Sequence, residues 1–397
     1  MAAGGEVGSP LRFARVGDLP PYVFATVDQL KRELRRDGRD VVDLGFGNPD
    51  IPSPQLAVEK LAEAAAKPAN HRYSVSRGIE RLRAAVADRY AEVFGVAVDP
   101  ETQVVATIGA KEGLAHLMWV LVEPGDDVVV PTPAYPIHAV APILAGATLV
   151  RPFVGEGIDG IAEAVRARQP RVVVVSFPHN PTTVVATQSE LQQLVDLARE
   201  HEFVLVHDFA YADIAFDGFR PPSLLACDGG IEVGVELYSL TKSFSMAGWR
   251  VGFVVGRADV VAALAKLKSY LDYGTFQPIQ IAATVTLQEA GDYPDEVCEI
   301  YRSRRDVLCD GLARAGWPVE PPLGTMFVWT PIPERYRTLG SLEVALRLAR
   351  DANVAVSPGI GFGEGGDAHV RFALVENEQR IRQATRSIRR VLPGDPS

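Results

Sequence analysis

Lys242 is the residue whose surroundings first suggest chemistry. It lies in YSLTKSFSMAGWRVGF, residues 238–253, beside the hydroxyl residues Ser239 and Thr241, and Arg250 follows within the same stretch. The small residues of this stretch let other groups approach the backbone closely. A lysine whose pKa is lowered by burial and by neighbouring cations is a nucleophile that condenses with aldehydes. Lys242 is therefore a candidate for covalent catalysis.

Two further groups follow apolar runs that are typical of strands. Gly109, Ala110 and Lys111 open a helical pattern after VVATI. The free N–H groups at such a helix start can bind an anion. Asn180 stands before a proline after RVVVVSF, which leaves its side-chain amide available as a donor. Taken alone, the glycine stretch is better explained as a plain turn, and an ordinary turn is a serious alternative for Asn180 as well.

A carboxylate and a phenol complete the set. Asp208 follows FVLVH, with Tyr211 close behind it in HDFAYAD, and a carboxylate at a buried strand end needs a cation or hydrogen-bond donors. A structural ion pair would satisfy this need, so Asp208 alone is weak support for a site. The four groups together are more specific, because ligands bind beyond the carboxyl ends of strands in open α/β sheets.

Pyridoxal 5′-phosphate (PLP) is a cofactor that requires this combination. Its phosphate suits the helix start, and its ring nitrogen stays protonated beside a carboxylate such as Asp208. Its 3-oxygen accepts hydrogen bonds, for which Tyr211 and Asn180 are the candidates, and its aldehyde condenses with Lys242. The further candidate donors to the phosphate are Ser239, Thr241 and Arg250.

The order of the predicted elements indicates an α/β fold with a mainly parallel sheet. The strand candidates are apolar runs without strict alternation, which is typical of strands covered on both faces. They lie at 104–108, 128–131, 171–177, 203–206, 236–240 and 251–255. A helix is predicted between Ile79 and Val93 from apolar residues three and four positions apart.

The last third of the chain has a different pattern and predicts a second, smaller α+β domain. Strands are predicted at 327–329 and 370–374, and Ile381 to Leu392 predict a final helix. The predicted organisation is an N-terminal segment, residues 1–48, that contributes to the small domain, then a large cofactor-binding domain, residues 49–275, then the rest of the small domain, residues 276–397.

Composition excludes several classes of protein. The net charge of −10 disfavours nucleic acid and anionic membranes as partners. Three cysteines without a CxxC motif are typical of reduced thiols in the cytoplasm. The seven histidines show no metal-binding spacing, so no metal is predicted. No apolar run reaches the roughly 20 residues that span a bilayer, and residues 1–10 lack a secretory signal pattern and are expected to fray.

Three motifs resemble those of the class I/II aminotransferases of fold type I: HNPT at 179–182, HDFAYAD at 207–213 and SLTKSFSMAGWRVGF at 239–253. The resemblance covers roughly Tyr22 to Leu392. It implies a mainly parallel seven-stranded sheet in the large domain and a ping-pong transfer of an amino group between an amino acid and a 2-oxo acid. It also implies a homodimer with shared active sites.

The resemblance assigns roles to individual residues. Lys242 is implied to be the Schiff-base lysine, which also moves the substrate proton, and Asp208 its pyridinium partner. Further roles are implied for residues outside the three motifs. They are Tyr135 stacked on the cofactor ring, Tyr73 on the phosphate of the neighbouring subunit's cofactor, Arg371 on the substrate α-carboxylate, and Gly47 lining the substrate pocket.

Two features depart from simple expectations. Thr183 stands where the family often has glycine, which puts the local turn in question. Residues 361–366 match GxGxxG, but they precede a predicted strand instead of opening a helix, so a dinucleotide site is not predicted.

Substrate choice depends on the branch of the family. The blocks KSYLDYGTFQPIQ and SPGIGFGEGGDAHVRFALVENEQRIRQA are most similar to the alanine-forming, glutamate–pyruvate transaminases. The LL-diaminopimelate aminotransferases are near relatives and remain the second reading. A PLP-dependent C–S β-lyase would use the same lysine, aspartate and arginine. A regulator with an aminotransferase-like domain is disfavoured, because such proteins carry a DNA-binding module at one end. Here few residues precede the predicted core, and the net charge of −10 does not suit DNA binding.

Overall fold

Two β-sheets organise this protein. The computed structural model describes Gly17, Leu19 and residues 22–392, so the predicted fraying of residues 1–10 lies outside the described part. Among the described residues there are eleven strands: β1 (Val42–Leu44), β2 (Val104–Thr107), β3 (Asp127–Val129), β4 (Thr148–Val150), β5 (Val172–Ser176), β6 (Val204–Asp208), β7 (Gly234–Ser239), β8 (Gly252–Gly256), β9 (Phe327–Pro331), β10 (Val354–Pro358) and β11 (His369–Ala373).

Helices alternate with these strands along most of the chain. The same residues form fourteen α-helices: α1 (Phe24–Arg36), α2 (Gln55–Ala65), α3 (Glu80–Phe94), α4 (Ala110–Leu121), α5 (Pro136–Ala145), α6 (Gly157–Arg168), α7 (Gln188–His201), α8 (Gly230–Val233), α9 (Leu240–Ser243), α10 (Ala258–Leu271), α11 (Gln277–Glu289), α12 (Tyr293–Arg314), α13 (Gly340–Ala352) and α14 (Glu378–Val391). None of them is long and apolar enough to cross a membrane.

The larger sheet has seven strands in the order β2-β8-β7-β6-β5-β3-β4. All of its neighbouring pairs are parallel except the two that β8 makes with β7 and β2. Successive residues of β5 face opposite layers: Val172 and Val174 pack with α4 and α10, whereas Val173 and Val175 pack with α6 and α7. Burial on both faces explains the unbroken valine run. The predicted fold class is confirmed.

The smaller sheet has the order β1-β10-β11-β9, with β1 parallel to β10 and the other pairs antiparallel. An N-terminal strand therefore pairs with strands from the end of the chain. Its core also holds Val27 of α1, Leu308 of α12, Leu348 of α13 and Ile381 of α14. The domain boundaries near residues 48 and 275 stay a prediction.

The predicted strands agree with the observed bounds to within two residues. β1, β4 and β10 were not predicted. β1 and β4 are only three residues long, too short for a periodic pattern. β10 is fully buried in VAVSP, and the serine and proline interrupt its apolar run.

Candidate active site

A cavity of about 350 Å³ lies where the carboxyl ends of β5, β6 and β7 meet the start of α4. It brings together all the predicted site residues except Gly109 and Tyr73. These are Gly47, Ala110, Lys111, Tyr135, Asn180, Asp208, Tyr211, Ser239, Thr241, Lys242, Arg250 and Arg371. Residues separated by more than 300 positions thus share one cavity, because strands of both sheets contribute side chains to it.

One wall of the cavity consists of hydrogen-bond donors. Gly109 precedes α4 with φ +80°, and no side chain caps this helix, so its first N–H groups are free of capping partners. A Cβ at Gly109 would collide with the guanidinium of Arg250. Ser239 Oγ donates to Thr241 Oγ1 at 2.8 Å, and Thr241 N donates to Ser239 Oγ at 3.1 Å. We call these five residues, Gly109, Ala110, Ser239, Thr241 and Arg250, the anion cradle.

Lys242 projects from the short helix α9 into the cavity. Its Nζ donates to the Gly47 carbonyl oxygen at 2.7 Å. Burial, together with the positive charges of Arg371 and Arg250, lowers the pKa of Lys242 from 10.5 to about 7. A large fraction of the amine is therefore neutral, and hence nucleophilic, at neutral pH.

Asp208 ends β6 and is held from two sides. His138 Nε2, from the first turn of α5, lies 2.7 Å from Asp208 Oδ2, and Ala210 N donates to Oδ1 at 3.2 Å. Behind this pair lies His179, whose pKa burial and the adjacent His138 lower to about 3, so that it stays neutral. The Asp208 carboxylate is thereby oriented in the cavity without a lysine or arginine partner among the described residues.

Arg371, from β11, is a buried cation without a carboxylate partner in the described part of the chain. Its Nη1 donates to Asn180 Oδ1 at 2.6 Å and its Nη2 to the Gly45 carbonyl at 3.2 Å, while its buried Nε has no partner. The guanidinium lies 3.8 Å from the ring centre of Phe327 and 4.6 Å from that of Phe362. Burial lowers its pKa to about 10. Such a group is suited to a carboxylate ligand.

The remaining predicted residues shape the cavity. Tyr211 is buried, and burial raises the pKa of its phenol, which therefore stays a hydrogen-bond donor. Tyr135 lies under Lys111, whose Nζ is 5.2 Å from the ring centre. Gly47 faces Phe327 so closely that a Cβ would come within 2.5 Å of the ring. Because Asn180 Oδ1 accepts from Arg371, its Nδ2 is the donor that it can offer to a ligand.

Tyr73 does not join the cavity of its own chain. Its side chain is 85% exposed and contacts Tyr273, with ring centres 4.7 Å apart. The implied contact of Tyr73 is with a second subunit, so its role stays a prediction.

Sequence reasoning missed several residues of the site. His138 touches Asp208 across 70 positions, and no motif marked it. Phe46, Ser176 and Phe327 also line the cavity. The only usable signal was position, since His138 follows a predicted strand and Ser176 is the next-to-last residue of another.

Thr183 adopts the backbone conformation that favours glycine, with φ +64°. The turn is closed by Thr183 N donating to the His179 carbonyl at 2.8 Å and His179 N donating to the Val184 carbonyl at 2.8 Å. The turn therefore forms without glycine, and Asn180 stays in the cavity. Residues 361–366 lie between β10 and β11 and open no helix, as predicted.

Comparison with known proteins agrees with this geometry. Residues 39–388 match the family model described as "Aminotransferase class I and II". The glutamate-pyruvate aminotransferase AlaC of Escherichia coli K12 is 47% identical over 389 residues, 97% of this chain and 94% of that protein. The LL-diaminopimelate aminotransferase of Desulforudis audaxviator is 41% identical over 381 residues, 94% and 96% of the two chains.

A solved structure shows the same fold. The substrate-bound BacF structure from Bacillus subtilis superposes with a TM-score of 0.91 at 33% identity, covering 98% of this chain and 99% of that one. The family match covers most of the chain and includes the segments that supply Lys242, Asp208 and Arg371. This chain therefore belongs to the class I and II aminotransferases, enzymes that use PLP to move an amino group between an amino acid and a 2-oxo acid.

Proposed function

We propose that this transaminase binds PLP in the cavity and exchanges amino groups chiefly between alanine and glutamate and their oxo acids, pyruvate and 2-oxoglutarate. The observation that carries the PLP assignment is the position of Lys242. Its amine, with a pKa of about 7, lies in one cavity with the Asp208 carboxylate and four residues of the anion cradle, Ala110, Ser239, Thr241 and Arg250.

The residues fit PLP group by group. The anion cradle offers backbone N–H groups, two hydroxyls and a guanidinium to the phosphate, and the Gly109 position has no room for a side chain. Asp208, oriented by His138, would hold the ring nitrogen, and Tyr135 would stack on the ring. Tyr211 and Asn180 are the donors to the 3-oxygen. When bound, PLP supplies an aldehyde that condenses with amines and a ring that withdraws electrons.

Lys242 then acts as an acid and a base. When its Nζ is not bonded to the cofactor, it would take a proton from the substrate α-carbon as a base and give a proton back as an acid. An amine with a pKa of about 7 is suited to both directions at neutral pH. The arginines that lower this pKa, Arg371 and Arg250, lie on the substrate side and the phosphate side of the cavity.

Arg371 would hold the substrate. Its unpaired Nε and its Nη2 face no carboxylate in the described residues, so a substrate α-carboxylate would satisfy a guanidinium that is otherwise incompletely bonded. The rings of Phe327 and Phe362 fix the plane of the guanidinium, and with it the orientation of the substrate. Gly47 would line the substrate pocket through its backbone, because the Phe327 ring leaves no room for a side chain at this position.

The choice of substrate rests on relatives. The 47% identity to a glutamate-pyruvate aminotransferase over nearly the whole chain supports alanine and glutamate. The 41% identity to an LL-diaminopimelate aminotransferase makes LL-diaminopimelate the second candidate. Another amino acid with a bulky or sulfur-containing side chain belongs to the same second group.

A homodimer with shared active sites completes the proposal. Tyr73 and Tyr273, whose ring centres are 4.7 Å apart, are 85% and 58% exposed, and Tyr270, Val75 and Phe276, near them in sequence, are also exposed. Such an aromatic surface is typical of a protein–protein contact. Tyr73 would reach the phosphate in the partner. We also propose a cytoplasmic location, consistent with three free cysteines, and the division into domains near residues 48 and 275.

Reduction with borohydride tests the cofactor assignment. Protein saturated with PLP should absorb in the near-ultraviolet to visible range, and borohydride should fix the cofactor to Lys242, as read by peptide mass spectrometry. Lys242→Ala should fold, lose this label and lose turnover. The exposed Lys266→Ala provides the matched control and should keep all three properties. A colourless wild-type protein without label at Lys242 would refute PLP chemistry.

A panel of amino donors with pyruvate or 2-oxoglutarate tests the substrate. We expect the highest kcat/KM for alanine with 2-oxoglutarate and for the reverse pair. Preference for LL-diaminopimelate would replace the substrate proposal and leave the transaminase assignment intact. Release of pyruvate and ammonia from cystathionine without an oxo-acid acceptor would indicate the C–S β-lyase.

A further inference from the structure

Lys268 of α10 is a fully buried lysine outside the cavity. Its Nζ donates to Glu112 Oε1 at 2.9 Å and to Asp272 Oδ2 at 3.1 Å, and it is 0% exposed. His116 Nδ1 lies 2.6 Å from the same oxygen of Glu112. We call these four residues the Lys268 cluster. Burying a cation costs free energy that only close ion pairs and hydrogen bonds offset. The partners of Lys268 are therefore informative.

On one side the Lys268 cluster holds the anion cradle. The second oxygen of Glu112, Oε2, accepts from the backbone N of Ile108 at 2.8 Å. The backbone carbonyl of Ile108 accepts from Arg250 Nη2 at 3.4 Å. Ile108 directly precedes Gly109. Its backbone N–H is therefore fixed by Glu112, and its carbonyl by Arg250 of the anion cradle.

On the other side the Lys268 cluster holds the loop after α10. Asp272 Oδ1 accepts from Gly274 N at 2.6 Å. Gly274 has φ +75° and packs so closely on the Val75 carbonyl that a Cβ would lie 3.0 Å from it. The loop is therefore held in place by its own contacts, and Lys268 links it to Glu112 through Asp272.

The ammonium group of Lys268 offsets the negative charges of the Lys268 cluster. Burial raises the pKa of Glu112, but His116 and Lys268 outweigh burial and hold the pKa below its usual range. The side chains of Glu112 and Asp272 are only 18% and 19% exposed. Their carboxylates, with His116, resemble a metal-binding group, but the ammonium already bonds both acids. Without it, two poorly solvated negative charges would face one another.

We propose that Lys268 is a positioning residue for the anion cradle: it fixes Glu112, and through Glu112 the turn at Ile108 and Gly109, in the conformation that binds the cofactor phosphate. The inference rests on the proposed PLP site. Lys268 touches neither cofactor nor substrate. It acts by keeping the N–H groups at the start of α4 aligned with Arg250.

The test compares PLP with pyridoxal, which lacks the phosphate, by absorbance titration of cofactor-free protein. In Lys268→Met we expect the Kd for PLP to rise about tenfold or more, the usual scale for a lost hydrogen bond to a charged group, while the Kd for pyridoxal stays unchanged. Lys266→Met, on the exposed side of the same helix, is the matched control and should bind both like the wild type.

The alternative outcomes are distinct. Equal weakening of PLP and pyridoxal, or a lower melting temperature with both Kd values unchanged, would overturn the positioning role. If Lys268→Met does not fold, Glu112→Gln replaces it, with an expected loss of about threefold for PLP alone. An unchanged PLP Kd in that variant would also overturn the role. A wild type that does not bind PLP would sink the proposed function as well as this inference.

Discussion

At the scale of single residues, the cavity is defined by two cations that are held away from anions. Lys242 bonds a backbone carbonyl, and Arg371 bonds an amide oxygen and another backbone carbonyl, with no carboxylate on either among the described residues. Burial lowers the pKa of both, and the charges of Arg371 and Arg250 lower that of Lys242 further. The protein thereby keeps Lys242 reactive and leaves Arg371 available for an anionic substrate.

The pH dependence of cofactor uptake follows from Lys242. Only the neutral amine attacks an aldehyde, so the rate at which cofactor-free protein takes up PLP should rise with pH to a plateau, with its midpoint at about pH 7. In Arg371→Leu the midpoint should move toward 10.5, because one of the charges that lower the pKa is gone. Stopped-flow absorbance measures this rate.

The sign of the shift is the informative part of that experiment. Each unit of upward movement should slow uptake at pH 6 by about tenfold. Arg386→Leu, an exposed position on α14, provides a control with the same charge change and should keep the midpoint of the wild type. A midpoint near 10 in the wild type, or a downward shift in Arg371→Leu, would contradict the assigned environment of Lys242.

At the scale of elements, the site depends on the turn between β2 and α4. Gly109 has φ +80° and ψ 159°, a conformation essentially restricted to glycine that costs another residue about 1–3 kcal/mol, and its missing Cβ makes room for Arg250. Glycine is therefore needed at position 109 for two reasons: the backbone conformation disfavours other residues, and the Arg250 guanidinium occupies the place of a side chain. These two effects can be separated by mutation.

Gly109→Ala should both destabilise the fold and weaken PLP binding. Backbone strain should lower the free energy of unfolding by about 1–3 kcal/mol. Displacement of Arg250 should raise the Kd for PLP by about tenfold. Gly125→Ala is the matched control, since Gly125 has φ +97° and open space where a Cβ would lie. It should lose similar stability, measured by urea unfolding, and bind PLP normally. Equal PLP affinity in both variants would contradict the close approach.

Prediction from sequence succeeded where one element carries its own signal. The valine run of β5 marks a strand buried on both faces, and the groups that follow β5, β6 and β7 are the ones that meet in the cavity. It failed where the signal is spread over distant segments. His138 is recognisable only from its contact with Asp208, and β1 only from its pairing with β10. The orphaned Nε of Arg371 likewise has no trace in the sequence.

At the scale of the whole molecule, one chain provides the cavity but leaves an aromatic surface open. Tyr73 is 85% exposed on this surface and contacts Tyr273. Gln280 of α11 ties the two segments together, donating to Ser74 Oγ at 2.9 Å and to the Thr275 carbonyl at 2.6 Å. The surface is thus preformed in one chain. Its proposed use is to complete the cavity of a partner.

Heterodimers of two defective chains test this sharing. If Tyr73 serves the partner's cofactor, a heterodimer of Lys242→Ala with Tyr73→Ala has one site with both groups intact, and about half of the wild-type activity per dimer is expected. Purification through two different affinity tags isolates the heterodimer. Its control joins wild type to a chain carrying both substitutions: that heterodimer has no intact site and should show only the residual activity of Tyr73→Ala. The opposite ranking of the two heterodimers would place Tyr73 in the site of its own chain.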